Sequence, residues 1–430
     1  MGRILWTCAL VLLLTACGPD APDRGGRETE RADPEVRLIK AEAERVRSPD
    51  VTDEQVAELV GGNNDFAFKM YHEQGGTGNL IFSPYSISLA FSLAYAGARG
   101  ETEAQMAETL NFLPQETQHP AFNAIEGRMS GLGEKGGGGP SPPFRLNVAN
   151  SAWGQEGFRF EQAYLETLAA HYGAGLRPLD FGQPDDASEE INTWIEDETE
   201  NRIKDLVSPK VISPSTRLML VNAVYFKASW RSSFVESRTK DGPFTLLDDS
   251  EVTASLMRQS SYLPYSEGDG YEAVRLPYKG DAADMLVILP EEGRFEEVEG
   301  RLDAGFLDEV DEQIRPDEFV KLTMPRFDFE TDLDLPESFD SMGMTAPFGG
   351  AADFGGITNE ADLSIDDALH RANISVDEKG TEAAAVTLLD MSVSGTPEPV
   401  EMTLNRPFLF VIEERETGSL LFMGRVTDPE

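Results

Sequence analysis

The sequence predicts an α+β domain with large, mostly antiparallel sheets. Apolar residues recur at helical spacing early in the globular part, whereas continuous apolar runs typical of buried strands dominate later. Strands and helices do not alternate regularly, as they would in a parallel sheet. With 430 residues, 40% of them hydrophobic, the chain can form one large domain with a substantial core.

The chain is strongly acidic, with 36 lysines and arginines against 77 aspartates and glutamates and a net charge of −41. This balance argues against binding to nucleic acid, whose phosphates attract basic surfaces. A solvated acidic surface, as in proteins from salt-rich habitats, accounts for the charge. A surface that attracts a basic partner is the alternative.

The N-terminus resembles a bacterial lipoprotein signal. A basic start precedes an apolar run at residues 4–14, which is too short to span a bilayer as a helix. The run ends in Leu-Thr-Ala-Cys-Gly, which is similar to a lipobox with Cys17 as the acylated residue. The resemblance implies a lipoprotein outside the cytoplasm, on the outer membrane or cell surface; an ordinary secretion signal is the alternative. Cys8 and Cys17 are the only cysteines, so we expect no disulfide.

Three regions follow from this interpretation. Residues 1–16 are the predicted signal peptide. Residues 17–51 are charged, rich in proline and glycine, and poor in large apolar groups, which predicts a flexible tether behind the acylated cysteine. Residues 52–430 form the predicted single domain.

Helix-start signals mark the early part of this domain. Thr52 with Gln55 forms a capping-box pattern before a run of apolar residues at helical spacing. Ser83 followed by a proline is a good N-cap, and Thr102 with Gln105 repeats the capping box. A further amphipathic helix is predicted at residues 189–207.

Strand patterns appear from residue 145 onward. Their apolar runs or alternating patterns are bounded by turn residues. The predicted strands are residues 145–153, 218–230, 285–289, 319–329, 408–412 and 419–426.

One long segment, residues 378–408, does not fit this pattern. Its residues 381–393 contain no proline and suit a buried strand, yet nothing in the segment makes a hairpin or a helix cap. About thirty residues pass before the next apolar run, and a loop that long in a compact domain is either functional or disordered. We interpret it as functional. The face that would point inward as a strand is Thr381, Ala383, Ala385, Thr387, Leu389, Met391 and Val393.

Eight stretches in the same order resemble the serpins, from about residue 54 to residue 427. They read NLIFSPYSISLAFSLAYAGARGET, INTWIEDETENRIKDLV, LVNAVYFKASW, LPY, MPRFDFE, EKGTEAAA, NRPFLFVI and LLFMGRV. The resemblance implies the serpin fold, with three β-sheets, eight to nine helices and an exposed reactive-centre loop above a five-stranded principal sheet.

The resemblance also implies a function. A serpin loop is attacked as a substrate by a serine protease, forms an acyl-enzyme, and inserts into the principal sheet before water completes hydrolysis. The hinge at which insertion would begin comprises Glu378, Gly380, Thr381, Glu382, Ala383, Ala384 and Ala385. Gly380 suits a pivot, and Thr381 is small enough to be buried first.

The scissile bond lies within a window of four residues. Counting from the hinge, as in typical family members, places the bond between Ser394 and Gly395. Counting back from Arg406, Pro407 and Phe408 moves it toward Thr396, and Val393 begins the window. These small side chains imply an elastase-like or subtilisin-like protease, and the absence of lysine and arginine from residues 381–405 argues against a trypsin-like one.

Four residues match a polar cluster beneath the opening sheet of the family: Ser83, Ser86, Asn222 and His370. Each also has an ordinary structural interpretation, since Ser83 is a helix cap and a lone histidine is commonly a core residue. The matched flanks of His370 favour the cluster. Trp230 is expected to pack at the top of the sheet.

Other chemistry has little support in the sequence. No metal-ligand spacing, nucleophile elbow or phosphate loop occurs, so we expect neither an enzyme, a cofactor nor a metal site. The expected partner of this monomer is a target serine protease, with membrane contact through the lipid alone. A non-inhibitory serpin acting as a binding or scaffold protein and an inhibitor of papain-like cysteine proteases are the alternatives.

Overall fold

The computed structural model describes residues 44–135, 145–173, 175–198, 203–213, 215–360, 362–365, 368–381 and 399–430. Within these ranges, helices dominate the first part and strands the second, which confirms the predicted α+β class. The nine α-helices are α1 Asp53–Gln74, α2 Pro84–Tyr95, α3 Gly100–Leu110, α4 Gln115–Lys135, α5 Gln162–Thr167, α6 Pro184–Glu198, α7 Phe295–Glu299, α8 Ala304–Gln313 and α9 Leu335–Ser341.

Fifteen strands complete the described part. They are β1 Leu80–Phe82, β2 Arg145–Gln155, β3 Leu176–Leu179, β4 Leu218–Ser229, β5 Lys240–Thr245, β6 Glu251–Gly268, β7 Tyr271–Pro277, β8 Ala283–Pro290, β9 Arg315–Pro325, β10 Phe327–Asp334, β11 Ala368–Val376, β12 Gly380–Thr381, β13 Val400–Thr403, β14 Phe408–Glu414 and β15 Leu420–Val426.

Two of the three predicted helix caps are present. The side chains of Thr52 and Gln55 bond each other's backbone N–H groups, so the capping box of α1 is confirmed. Ser83 caps α2 by accepting a hydrogen bond at its Oγ. The third prediction is wrong, because α3 begins at Gly100 and Thr102 lies in its first turn. Thr102 and Gln105 instead accept hydrogen bonds from backbone N–H groups of a distant loop.

The helix predicted at residues 189–207 is also shorter than expected at its C-terminal end. It spans Pro184–Glu198, and residues 203–207 are not helical. The backbone of Val207 exchanges hydrogen bonds with the side-chain amide of Asn192, so the chain folds back along the helix. Apolar residues after the helix pack into the same cluster as the helix itself, which explains the misleading amphipathic pattern.

The predicted strand at residues 319–329 is two strands. β9 ends at Pro325 and pairs with β6, whereas β10 begins at Phe327 and pairs with β11 in another sheet. Pro325 has no N–H to continue a ladder, and the backbone N–H of Arg326 turns aside to donate to Ser255. Arg326 therefore lies at the junction between two sheets.

The principal sheet has the strand order β10-β11-β12-β4-β2-β3. Its two central long strands, β4 and β11, run parallel and pair directly over Ala368–Asn373 and Leu220–Tyr225. Beyond these residues they separate, and the two-residue strand β12 lies between them. In the described residues the sheet thus has four long strands, the four-residue edge strand β3 and the two-residue strand β12 in its middle.

The other nine strands form a network in the order β1-β15-β14-β8-β7-β6-β9-β13, with β5 beside β6. The network divides at β6, whose first part pairs with β5 and β9 and whose last residues pair with β7. Two sheets therefore share this long strand. Together with the principal sheet they make the three sheets that the sequence resemblance implies.

Most apolar side chains share one large core between the sheets and the helices. A smaller cluster lies under α6, where Trp194 meets Trp153 of β2 edge to face at 5.9 Å. The guanidinium of Arg177 lies over both rings. Helix α6 is therefore attached to the principal sheet through its own small apolar contact.

The end of the predicted tether contacts the domain. Arg45 donates hydrogen bonds to Asn123 and Glu126 of α4, and the backbone of Val46 bonds Ala170 and Asn123. Cys17, the predicted signal at residues 1–16 and most of the predicted tether lie outside the described residues. Among the helices that the structure describes, none is both long and apolar enough to cross a membrane.

A hinge and a sheet-opening cluster as the candidate functional site

A tight turn connects β11 to β12. The Asp377 N–H donates to the carbonyl of Gly380 at 2.9 Å. The Asp377 carboxylate accepts from the N–H groups of Lys379 at 2.7 Å and Gly380 at 3.2 Å. These bonds reverse the chain, so the first predicted hinge residues return along β11 and enter the sheet.

Thr381 already occupies a strand position in the middle of the principal sheet. It pairs with Val376 of β11 and with Ala228 of β4, and its exposed fraction is 0%. Its Oγ1 shares a hydrogen bond of 2.9 Å with the Tyr278 hydroxyl. The hydroxyl is thereby satisfied, and the small side chain fits between two strands without a charge to bury.

Gly380 has a backbone conformation that requires glycine. Its φ is +154°, and a Cβ at this position would lie 2.1 Å from the carbonyl oxygen of Ala228 and 2.6 Å from the Cα of Ser229. Any side chain here would push β12 away from β4. The role of pivot predicted for Gly380 is therefore sterically reasonable.

Glu378 ties the turn to the junction between β9 and β10. Its side chain is only 3% exposed, and it accepts from the Arg326 Nε at 2.9 Å and Nη2 at 2.5 Å. The Thr239 hydroxyl donates a further hydrogen bond. Burial raises the pKa of this carboxyl, but the hydrogen bonds from Arg326 and Thr239 outweigh burial, and its pKa is lowered overall.

An aromatic stack lies beside β12. The Trp230 ring is buried and stacks on Tyr278, with ring centroids 4.6 Å apart and planes 11° from parallel. The indole N–H donates to the carbonyl of Asp377 at 3.0 Å, and the backbone N–H of Trp230 donates to Lys379. Trp230 thus packs at the end of the principal sheet where β11 turns into β12, which is the top of the sheet, and its two hydrogen bonds stabilise that turn.

Three members of the predicted polar cluster lie at the other end of the β4–β11 pairing. Ser83, Ser86 and His370 are buried; the Ser83 Oγ accepts from the Ser86 N–H, and the Ser83 N–H donates to His370 Nε2 at 3.1 Å. The fourth, Asn222, is the backbone pairing partner of His370. Through the bond from Ser83 to His370, the start of α2 is joined to β11, at the residues where β11 pairs with β4.

Acid is expected to destabilise the fold through His370. Burial lowers the pKa of this imidazole to about 3, whereas a histidine in the unfolded chain titrates near 6.5. The full contribution is present above pH 6.5 and is lost as the pH falls toward 3, because only the unfolded chain takes up the proton in this window. His370 alone contributes about 1.4 kcal/mol per pH unit between pH 6 and 4.

Urea unfolding of the parent and of His370→Gln at pH 7, 6, 5 and 4 measures this contribution. The glutamine amide oxygen can still accept from the Ser83 N–H, and the variant should show a shallower loss of unfolding free energy on acidification. The comparison cancels the effect of His119, whose pKa burial also lowers to about 3. Equal slopes for the two proteins would show that His370 is not held neutral by the fold.

Several predicted residues fall outside the described part of the chain. These are the later hinge residues Glu382, Ala383, Ala384 and Ala385, and the bond window Val393, Ser394, Gly395 and Thr396. Within the described ranges, no group of three or more histidine, cysteine or acidic side chains could hold a metal ion.

Sequence reasoning did not identify three residues that hold the hinge: Arg326, Thr239 and Tyr278. Arg326 is 52 residues from Glu378, and Tyr278 is 103 residues from Thr381. The sequence offers no signal for them, because the burial of Glu378, which requires a cationic or hydrogen-bonding partner, is visible only in the structure.

Comparisons with known proteins agree with the geometry. The family model described as "Serpin (serine protease inhibitor)" matches residues 61–429. An uncharacterized serpin-like protein of Thermococcus kodakarensis is 40% identical over 86% of this chain and 86% of its own length. The leukocyte elastase inhibitor of Equus caballus is 31% identical over 86% of this chain and 100% of its own. The crystal structure of human glycosylated kallistatin has a TM-score of 0.76 at 28% identity, covering 87% of this chain and 99% of that one.

Proposed function

This chain belongs to the serpin family, and on that premise we propose that it inhibits serine endopeptidases as a suicide substrate. The observation that carries the proposal is the strand position of Thr381 between β4 and β11. Insertion of the loop has a defined starting point there. The hinge residues that follow in the sequence are Glu382 and three alanines, and none of them is a proline, so they can continue the strand.

Insertion of the loop must break the backbone pairing between β4 and β11. Continuing the register of Thr381 with Ala228 along β4 brings the loop to the region where β4 and β11 pair directly, at Tyr225 and Asn373. Those six parallel residue pairs must separate. His370 and Asn222 lie within them, which supports the proposed role of the polar cluster in the opening of the sheet.

The same register agrees with the proposed bond window. Suppose that the antiparallel pairing of the loop with β4 continues residue by residue from Thr381 and Ala228. Leu218, the first residue of β4, would then pair with Met391. The bond window at 393–396 then lies just beyond the end of the sheet. The eleven residues from Thr381 to Met391 span roughly 33 Å as a strand, which would carry an attached protease across the domain.

The chemistry of trapping is ordinary acyl transfer interrupted before its second half. The catalytic serine oxygen of the protease adds to the carbonyl carbon of the scissile bond, and the peptide nitrogen leaves with a proton. The loop remains joined to the protease as an ester until water attacks. Inhibition requires that the loop inserts before this hydrolysis.

We propose small-residue proteases, elastase-like or subtilisin-like, as the targets. The bond window contains only valine, serine, glycine and threonine, and no lysine or arginine occurs from residue 381 to 405. A relative named leukocyte elastase inhibitor, 31% identical to this chain, supports the same class.

Incubation with pancreatic elastase, subtilisin, chymotrypsin and papain tests the proposal. The expected result is a covalent complex with elastase or subtilisin that survives boiling in SDS. The same enzymes with their catalytic serine sulfonylated should form none. A complex with papain alone would reassign the target class. Cleavage by all four without a complex would favour the non-inhibitory alternative.

We also propose that Cys17 carries a lipid that holds the chain on the outer membrane or cell surface. The apolar run and the Leu-Thr-Ala-Cys-Gly sequence support it. In a bacterial host supplied with radioactive palmitate, the chain should take up label and Cys17→Ser should not. Equal labelling of both proteins would exclude acylation at this residue.

A further inference from the structure

An exposed tyrosine and a half-buried phenylalanine form an aromatic pair on the sheet of β6, β9 and β13. Tyr262 of β6 is 52% exposed, more than any other large hydrophobic side chain in the described part of the molecule. Its cross-strand partner is Phe319 of β9, with ring centroids 5.2 Å apart. Cross-strand aromatic pairs contribute only about 0.2–1 kcal/mol to a sheet, so stability alone gives little reason for this exposure.

Strand register places this pair beside the end of the reactive loop. Val320 of β9 pairs with Ser261 of β6 on one side and with Val400 of β13 on the other. Tyr262 is next to Ser261, and adjacent strands are about 4.8 Å apart. The backbone of Tyr262 therefore lies roughly 10 Å from that of Val400, the first residue of β13.

The outward face next to the aromatic pair is polar. Lys321 follows Phe319 by two residues on the same face of β9 and donates to the Glu401 carboxylate of β13 at 3.0 Å. The surface thus combines an exposed aromatic centre with an ion-paired margin. Protein interfaces have the same anatomy, with aromatic residues central and charged residues at the rim.

A protease bound to the reactive loop is large enough to cover this surface. The four residues of the bond window lie four to seven residues before Val400. In an extended chain that is at most roughly 13–23 Å. A protease of about 240 residues has a radius of gyration of about 18 Å. An enzyme whose cleft holds the bond therefore extends over the end of β13 and the strands next to it.

We propose that Tyr262 and Phe319 form a docking contact for the target protease, outside its active site, that receives an apolar patch beside the protease cleft. This inference rests on the proposed inhibitory function and adds a second determinant of target choice to the loop sequence. The contact forms when the protease first binds the loop. It accelerates capture without altering the later competition between insertion and hydrolysis.

Tyr262→Ser tests the contact, with the protease that the parent chain traps as the probe. We expect the second-order rate constant of covalent complex formation to fall about tenfold, the effect of a moderate interface residue. The number of inhibitor molecules consumed per trapped protease should stay unchanged, and so should the urea-unfolding midpoint. Phe319→Ser should lower the rate constant similarly.

Leu247→Ser is the matched control. Leu247 is also an exposed large hydrophobic residue, at 37%, but it lies in the turn before the first residue of β6, whereas Tyr262 is in the second half of that strand. Its substitution should leave the rate constant unchanged. A Tyr262→Ser rate constant within twofold of the parent, or an equal loss in Leu247→Ser, overturns the docking contact while leaving inhibition intact. A parent chain that traps no protease overturns the proposed function and this inference with it.

Discussion

Thr381→Arg should convert the protein from an inhibitor into a substrate. Thr381 is fully buried between Val376 and Ala228, with the Tyr278 hydroxyl as its polar partner. An arginine at this position would keep β12 out of the sheet, and insertion would then have to begin by burying its guanidinium, which opposes that step by several kcal/mol. Each 1.4 kcal/mol slows insertion about tenfold relative to hydrolysis of the acyl-enzyme.

The stoichiometry of inhibition measures this effect. We expect the number of Thr381→Arg molecules consumed per trapped protease to exceed ten, with cleaved chain as the main product. Thr381→Val is the matched control, because it preserves side-chain volume and removes only the hydrogen bond to Tyr278, a change of about 1 kcal/mol. Its stoichiometry should remain within a few-fold of the parent. An arginine variant that traps protease as efficiently as the parent would disprove the proposed starting point of insertion.

Glu378→Lys should strongly destabilise the domain. The substitution removes the buried carboxylate that accepts hydrogen bonds from Arg326 and Thr239, and it places a second cation against Arg326. The arginine of this pair is 47% exposed, so losing its charge-assisted hydrogen bonds to the carboxylate should lower stability by about 1.5–3 kcal/mol. The first urea-unfolding transition should therefore shift to a clearly lower urea concentration.

Two further variants separate charge from packing. Glu378→Gln keeps the shape of the side chain and removes its charge, so its shift should be smaller. In the Glu378→Lys background, Arg326→Glu restores a pair of opposite charges and should recover part of the lost stability. A Glu378→Lys protein that unfolds at the parental urea concentration would show that this ion pair does not hold the hinge.

Much of the fold was predictable because it depends on local patterns. Helix caps at Thr52 and Ser83 and the apolar runs of β8, β14 and β15 are signals within a few residues, and the structure confirms them. The errors at α3, α6 and β9–β10 occurred where a tertiary contact overrides the local pattern. Val207, for example, is apolar and fits a helical face, but it bonds Asn192 outside the helix.

The candidate site shows the same division. The alternation of residues along the loop predicts that Thr381 faces inward, and in the structure its side chain is buried in β12. The residues that hold the turn could not be predicted from the sequence. Tyr278, Arg326 and Thr239 come from three separate segments, and their neighbours show no periodicity that points to the hinge.

By itself, the sequence determined the class of the fold, the family resemblance and the composition of the loop. Each of these depends on residues that are close together in the chain. Only the tertiary structure decided that Gly380 and Thr381 are already in the sheet, and that Glu378, Trp230 and Tyr278 hold them there. These contacts join strands that are distant in the chain. Their energies depend on burial and on distances of a few ångström, which arise only when the sheets assemble.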